Sequence, residues 1–187
     1  MARFRSLDYF SHMDFRTVFA ELDAAQAAGV LSRYAVGGAV AATFYIEPAA
    51  TEDIDVFAVL EPAPGTFIVT LDTINEFLKA RGARQQGEHL VIGGWPVQFL
   101  PVVPTLQTEA LDDAKVIDVE GQSVPVLSAE HLAAIALATG RPKDKLRLQQ
   151  FLEWQGFDRE MFLAIVGRHD LNDKWATFQA HFLNGST

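Results

Sequence analysis

Hydrophobic residues in the first half of the chain follow two different periods. They recur every three to four positions over residues 13–28, which predicts a helix with one buried face that Gly29 ends. A β-prone run at 33–36 breaks at two glycines and passes into the alanine-rich residues 39–46, which indicates a strand, a glycine turn and a short buried helix. Residues 54–60 are rich in β-branched and aromatic side chains and predict a second strand.

The middle of the chain alternates helical periodicity with short apolar runs that are separated by glycine turns, a pattern typical of β-hairpins. The predicted elements, in chain order, are a helix at 71–80 capped by Gly82, strands at 90–92 and 95–103 around Gly93-Gly94, a helix at 105–114, and strands at 115–119 and 123–127 around Glu120-Gly121. Together with the first half they predict a small α/β (α+β) core with a mixed sheet.

The pattern changes near residue 128. Ser128 is a natural helix N-cap, Gly140 is placed to end the helix that it opens, and helical periodicity continues to the end of the chain. The predicted helices span residues 129–139, 143–154, 158–168 and 171–182. We therefore expect a core at 1–127 and a helical segment at 128–187. No flexible linker separates the two, so the helices are expected to pack on the core.

Composition narrows the function classes. The chain has 187 residues, 49% of them hydrophobic and 21% charged, as expected of one compact domain or a core with a small helical appendix. A net charge of −9 disfavours an extended contact with duplex nucleic acid. Residues 1–10 lack the pattern of a secretory signal, and the longest apolar stretch, 35–46, is too short for a bilayer, which takes roughly 20 residues. We expect a soluble, cytoplasmic protein.

The absence of cysteine limits the chemistry further. Without cysteine the chain has neither a thiolate nucleophile nor a thiolate zinc site, and any metal must be held by oxygen or imidazole. Asp53 and Asp55 are two residues apart at the start of an apolar strand, so both carboxylates point to one face. Like charges this close repel unless a cation lies between them, and oxygen ligands suit Mg²⁺. The alternative interpretation is that this pair marks an ordinary solvated strand end.

The Gly37-Gly38 turn provides a second half of such a site. Backbone N–H groups at a helix start point towards anions, so a phosphate would be accommodated there, although a glycine pair alone is more often an ordinary turn. If the strand before Gly37 lies beside the strand of Asp53 and Asp55, the turn and the carboxylates share one edge of the sheet. A turn of N–H groups beside a metal is the minimum apparatus for phosphoryl or nucleotidyl transfer.

These two motifs resemble the nucleotidyltransferase superfamily with a DNA polymerase β-like fold, especially small bacterial members related to abortive-infection toxins and antibiotic nucleotidyltransferases. In that family a Gly-Gly or Gly-Ser turn opens a helix and a strand with an Asp-x-Asp pair follows, as Gly37-Gly38 and residues 51–56 do here. Residues 128–132 and 140–144, the latter reading Gly-Arg-Pro-Lys-Asp, are similar to the family's helical segment. The resemblance covers residues 33–155.

The resemblance implies a Mg²⁺- or Mn²⁺-dependent transfer of a nucleoside monophosphate from an NTP, such as ATP, to a hydroxyl group. It leaves the acceptor open: an RNA end, a protein or a small molecule. It implies the following site residues: Asp53 and Asp55 as catalytic metal ligands, Gly37 and Gly38 on the β/γ-phosphates, and Arg141 and Lys143 on the nucleotide. The net charge and the short apolar stretches, for their part, predict no membrane and no extended duplex nucleic acid as partner.

One departure from the family concerns the third carboxylate. Active members carry it on a later strand, whereas the corresponding strand here presents Gln98. A glutamine carbonyl can coordinate a metal but accepts no proton at neutral pH. Three interpretations stay open: weak catalysis with Gln98 as a third ligand, another acid such as Glu88, or a silent nucleotide- or protein-binding module, including a toxin–antitoxin component that works through a protein partner.

The remaining polar residues give weaker indications. The basic cluster consists of Arg141, Lys143, Lys145 and Arg147, and could receive a triphosphate or an RNA end or be a solvated helix face. The histidines, which show no close metal-ligand spacing, are expected at the surface or in packing; they are His12, His89, His131, His169 and His181.

Overall fold

The computed structural model describes residues 15–47, 51–61, 70–102, 105–119 and 121–183. Seven strands in these ranges form one sheet, with the order β3-β4-β5-β2-β1-β7-β6. The strands are β1 (Leu31–Val36), β2 (Ile54–Leu60), β3 (Arg84–Gln86), β4 (His89–Ile92), β5 (Trp95–Pro101), β6 (Lys115–Val119) and β7 (Gln122–Val126). β2 pairs in parallel with β5 and antiparallel with β1, and β1 pairs in parallel with β7. The sheet is therefore mixed, which confirms the expected fold class.

Helices cover the sheet and then dominate the end of the chain. They are α1 (Arg16–Ala27), α2 (Gly38–Ala42), α3 (Asp72–Ala80), α4 (Leu106–Asp112), α5 (Ala129–Thr139), α6 (Pro142–Glu153), α7 (Arg159–Arg168) and α8 (Asn172–Phe178), followed by a π-helix at Gln179–Leu183. The α5 helix begins as expected, because the Ser128 hydroxyl accepts the N–H of His131. It ends at Gly140, whose φ of 71° is the left-handed conformation that favours glycine.

The larger differences from the sequence prediction concern two helices and one strand. The helix expected at 39–46 ends at Ala42 and continues as turns. The helix expected at 171–182 changes to π geometry at Gln179. Strand β3 was not predicted, because Arg84, Gln85 and Gln86 are all exposed and give no apolar signal. Residues 13, 14, 103 and 120 of the predicted elements lie outside the described residues.

The C-terminal helices share one buried cluster with the sheet, which includes Val36, Ile54, Phe151 and Phe162. Tyr45, just after α2, connects the two parts: its hydroxyl donates to the carbonyl of Leu127 at 3.0 Å, and its ring lies 5.5 Å from that of Trp154. This packing is what the short connection at residue 128 favours, whereas the division into domains at 127/128 stays a prediction. None of the helices in the described ranges has the length and apolar character that a membrane crossing needs.

Candidate active site

The end of β1 and the start of β2 lie side by side. Val36 pairs with Val56, and the N–H of Gly37 donates to the carbonyl of Asp55 at 2.9 Å. This antiparallel pairing brings the glycine turn next to the carboxylate pair, although a helix and a loop separate them in sequence. The turn and the Asp-x-Asp motif therefore share one edge of the sheet.

Alternation along β2 places the two carboxylates on one face. Ile54 and Val56 are completely buried, while Asp53 and Asp55 are partly exposed on the opposite side. The hydroxyl of Thr51 lies 3.0 Å from the carbonyl oxygen of Asp53 and 3.3 Å from its Oδ1, which orients this carboxylate at the entrance to the strand.

Gly38 is in direct contact with Asp55. Its φ is +59°, and a Cβ atom added there would lie 1.7 Å from Oδ2 of Asp55. A Cβ on Gly37 would similarly lie 2.3 Å from Cε2 of Phe57. Neighbouring side chains therefore leave no room for a Cβ atom at either glycine. Gly37 lets the ring of Phe57 pack under the turn, and Gly38 leaves room for the carboxylate of Asp55.

Gln98 lies next to Asp55 on the neighbouring parallel strand. The two residues are in register, so their side chains share the face that carries the carboxylates. The sequence alternative Glu88 lies in the exposed turn between β3 and β4 and is not among the described residues that line the cavity. His89, at the start of β4, instead reaches the site: its Nε2 is 3.4 Å from Oδ2 of Asp53.

A cavity of about 1150 Å³ lies between this edge of the sheet and helices α5 and α6. Of the predicted site residues, those that line it are Gly38, Asp53, Asp55, Gln98, Arg141 and Lys143. Gly37 is buried, and its N–H donates to the backbone carbonyl of Asp55. The residues of the turn that face the cavity are therefore Gly38 and Ala39. The metal- and nucleotide-binding roles of these residues stay predictions.

Charges in the cavity are unevenly compensated. Burial raises the pKa of Asp55, and the nearby charge of Asp53 raises it further, whereas Arg147, Lys143 and Arg141 act in the opposite direction. The carboxylate therefore loses hydration that the surrounding cations do not fully replace. A bound divalent cation would restore that compensation.

Arg141 is engaged within the protein. Its Nε donates to Oδ2 of Asp144 at 2.6 Å and its Nη2 to Oδ1 at 3.2 Å, while its backbone N–H also donates to Oδ2. These bonds fix the first turn of α6 and raise the pKa of Arg141. Lys143, by contrast, is exposed at the cavity.

A second group of possible metal ligands lies on α4, on the residue that follows it, and on α5. Glu109, Asp113 and His131 each place one ligand atom within 4.8 Å of the others, so this group could hold a metal ion. Glu109 also accepts hydrogen bonds from Arg168 and lies 2.6 Å from Nε2 of His169. The group forms no part of the lining of the cavity that contains the aspartate pair.

Sequence reasoning missed three features of these sites. His89 and His131 were expected only at the surface or in packing, and neither spacing nor composition indicates that they meet carboxylates. Arg147 was noted only as one member of a basic cluster, although its side chain is 14% exposed and lines the cavity. Its immediate neighbour Leu146 is exposed, so only the orientation of the helix shows that Arg147 faces the cavity.

The sequence matches no protein-family model and no curated protein. Its fold is similar to the crystal structure of ANT(2″)-Ia in complex with adenylyl-2″-tobramycin, at 15% identity and a TM-score of 0.44, over 89% of this chain and 97% of that one. It is also similar to an antigenic nucleotidyltransferase-like protein from Paracoccidioides brasiliensis, at 17% identity and a TM-score of 0.49, over 91% and 97%.

The solution structure of the antibiotic-resistance factor ANT(2″)-Ia gives 15% identity and a TM-score of 0.42, over 89% of this chain and 92% of that one. At these identities and TM-scores the likeness concerns the fold alone, and no conclusion about activity rests on it.

Proposed function

We propose that this protein is a divalent-metal-dependent nucleotidyltransferase that transfers a nucleoside monophosphate from an NTP to a hydroxyl acceptor. One observation carries the proposal: a glycine with positive φ lies against one carboxylate of an Asp-x-Asp pair, inside a cavity that basic side chains also line. An ordinary turn needs no such contact. A site for a metal-bound polyphosphate needs backbone, carboxylates and cations within reach of one ligand.

The donor set fits a hard divalent cation. Asp53 and Asp55 present carboxylate oxygens on one face, and Gln98 offers a neutral oxygen from the adjacent strand. The raised pKa of Asp55 supports this assignment, because burial and a like-charged neighbour are costs that a bound cation offsets. When bound, Mg²⁺ or Mn²⁺ would supply activation of the attacking oxygen and neutralisation of charge at the phosphorus.

The chain's own residues would do the remaining work. Asp53 and Asp55 would hold the ion, with Thr51 fixing the first of them. The missing side chain of Gly38 would let the Asp55 carboxylate lie against the turn, so that a ligand bound to Asp55 would also lie near the backbone of the turn. Lys143 would contact the polyphosphate from α6 as a mobile point charge.

A labelled-transfer assay tests this function. The protein is incubated with each α-labelled NTP, Mg²⁺ or Mn²⁺ and candidate RNA, protein or small-molecule acceptors. We expect label transfer by the wild type and its loss in Asp55→Asn, while Glu52→Gln, which removes the same charge from the preceding loop, retains it. Equal transfer by wild type and Asp55→Asn would contradict the assignment of the site.

A second candidate, a catalytically silent nucleotide-binding module, is favoured by Gln98. The amide occupies the register position beside Asp55 and accepts no proton at neutral pH. Under this alternative, NTP and metal raise the unfolding temperature but no label is transferred. Gln98→Glu separates the two candidates: a weak enzyme should gain transfer activity when a carboxylate is placed there, whereas a silent module should gain none.

A further inference from the structure

The guanidinium of Arg147 is only partly exposed and has no close partner among the described residues. The side chain is 14% exposed, yet its nearest carboxylate contact is Nη1 to Oδ1 of Asp144 at 3.9 Å, which is beyond hydrogen-bonding distance. Arg141 occupies both oxygens of that carboxylate through three donors. Among the described residues, no side chain or carbonyl accepts a hydrogen bond from Arg147.

This arrangement leaves the donors of Arg147 available to a ligand. Partial burial lowers the pKa of Arg147, and the attraction of Asp144 and Asp55 only partly offsets the lost hydration. A planar fork of N–H groups matches a phosphate or carboxylate closely, so an anion bound there would replace the lost hydration. Because Arg147 lines the cavity that contains Asp55, its unused donors can serve a ligand held there.

The charges of the cavity favour phosphate over an isolated carboxylate. Asp53 and Asp55 repel any anion that enters without a cation, so the anion must arrive with a divalent ion that the two aspartates bind. A nucleotide polyphosphate has that property, since it shares its oxygens between metal and protein. We propose that Arg147 binds a phosphate of the nucleotide, an inference that rests on the proposed function. We further propose that Arg141 is a positioning residue, which keeps Asp144 from neutralising the charge of Arg147.

This assignment changes the roles expected within the basic cluster. Arg141 acts through Asp144 instead of contacting the ligand, and Arg147 provides the partly buried donor fork. Lys145 serves as a natural control, because it lies on the same helix but its Nζ sits 5.6 Å from the centre of the Phe182 ring. Its removal deletes one positive charge from α6 without changing the guanidinium of Arg147.

Equilibrium binding of nucleoside, nucleoside monophosphate and a non-hydrolysable nucleoside triphosphate in the presence of Mn²⁺ tests the proposal. We expect Arg147→Gln to weaken triphosphate binding by about 10- to 100-fold, as for a lost charge-assisted hydrogen bond, and to leave nucleoside binding within about twofold. Arg147→Lys should give an intermediate loss, because an ammonium keeps the charge without the fork. Lys145→Gln should bind all three ligands as the wild type does.

The outcomes separate this inference from the function on which it rests. Unchanged triphosphate affinity in a folded Arg147→Gln protein, with the wild type binding normally, overturns the role of Arg147 and leaves the proposed function standing. A wild type that binds no nucleotide overturns both. If Arg147→Gln does not fold, Arg147→Lys decides: an affinity for triphosphate equal to that of the wild type, with Lys145→Gln also unchanged, overturns the role.

The positioning role of Arg141 has its own readout. Arg141→Gln releases the carboxylate of Asp144, which can then pair with Arg147, so triphosphate affinity should fall by a similar factor. In Arg141→Gln combined with Arg147→Gln the second change should add almost nothing, because both act on the same phosphate contact. Full additivity of the two effects would show that Arg141 contacts the ligand directly.

Discussion

Under the proposed function, Asp55 would connect metal binding at the site to the stability of the fold. In the metal-free protein its carboxylate is desolvated and lies near Asp53, and its pKa is raised for both reasons. Replacing it with Asn keeps the shape of the side chain while removing the charge. We therefore expect Asp55→Asn to be more stable than the wild type when no divalent cation is present, as is common when an active-site charge is removed.

The size of the effect follows from strand geometry. Two residues along a strand separate the carboxylates by roughly 6.8 Å, which at an effective dielectric constant of about 20 gives about 2.4 kcal/mol of repulsion. The attraction of Asp55 to Arg147, Lys143 and Arg141 opposes this repulsion, so a net gain of about 1 kcal/mol is expected. For a protein of this size that gain raises the unfolding temperature by about 2–4 °C.

The raised pKa of Asp55 also fixes the direction in which stability changes with pH. Because the pKa of Asp55 is raised in the folded state, the folded protein holds this proton more tightly than the unfolded chain. Wild-type stability is therefore favoured at acid pH and is lost as the pH rises through the folded-state pKa. The advantage of Asp55→Asn over the wild type should be small near pH 4 and larger at pH 7.

Urea unfolding in EDTA and in Mg²⁺ measures both effects. With Mg²⁺ at about 100 times its dissociation constant the wild type should gain about 2.7 kcal/mol, whereas Asp55→Asn should gain almost nothing, so the order of stability reverses. Glu52→Gln, on the exposed residue just before the pair, controls for net charge. Equal stabilisation by Glu52→Gln and Asp55→Asn, or a metal-free Asp55→Asn less stable than the wild type, would refute the reasoning.

Three further predictions concern single side chains. Gly38→Ala should destabilise by about 1–3 kcal/mol and abolish the Mg²⁺-dependent rise in unfolding temperature, because the added Cβ overlaps a carboxylate; Gly29→Ala, with similar positive φ but open space around it, should show only the backbone strain. Ser128→Ala should lower the free energy of unfolding in urea by about 1 kcal/mol, since it removes the N-cap of α5. Ser128→Thr, which keeps a hydroxyl at the N-cap, should retain most of that stability. Hydrogen bonding to Arg168 lowers the pKa of Glu109 to about 2, so its contribution is present above about pH 4.5 and lost as the pH falls towards 2; Glu109→Gln should flatten stability measured across that range.

Local sequence patterns predicted the elements whose residues contrast strongly with their surroundings. The Gly93-Gly94 pair has φ angles of 58° and 91°, as a tight hairpin turn requires, and the strands on either side pair as expected. Alternation in β2 likewise predicted which side of the strand carries Asp53 and Asp55. In each case the physical cause lies within a few residues, so the pattern alone is sufficient.

The pattern failed where long-range contacts determine structure or environment. Strand β3 has no apolar residue and exists because β4 supplies its hydrogen-bond partners. His89 meets Asp53 only because β4, β5 and β2 are consecutive in the sheet, which depends on one parallel pairing and one antiparallel pairing. Arg147 has no close partner because Arg141 engages both carboxylate oxygens of Asp144. The spacing of residues along the sequence predicts none of these three outcomes.

The same pairing explains how Gln98 affects the site. Because it is in register with Asp55, a carboxylate there would add a third negative charge to a face on which burial and Asp53 already raise the pKa of Asp55. Under the proposed function the neutral amide would keep an oxygen available for the metal without adding to this repulsion, but it would give up metal affinity and the capacity to accept a proton. We therefore expect stability without metal and strength of metal binding to oppose one another at this position, with Gln98 favouring the former.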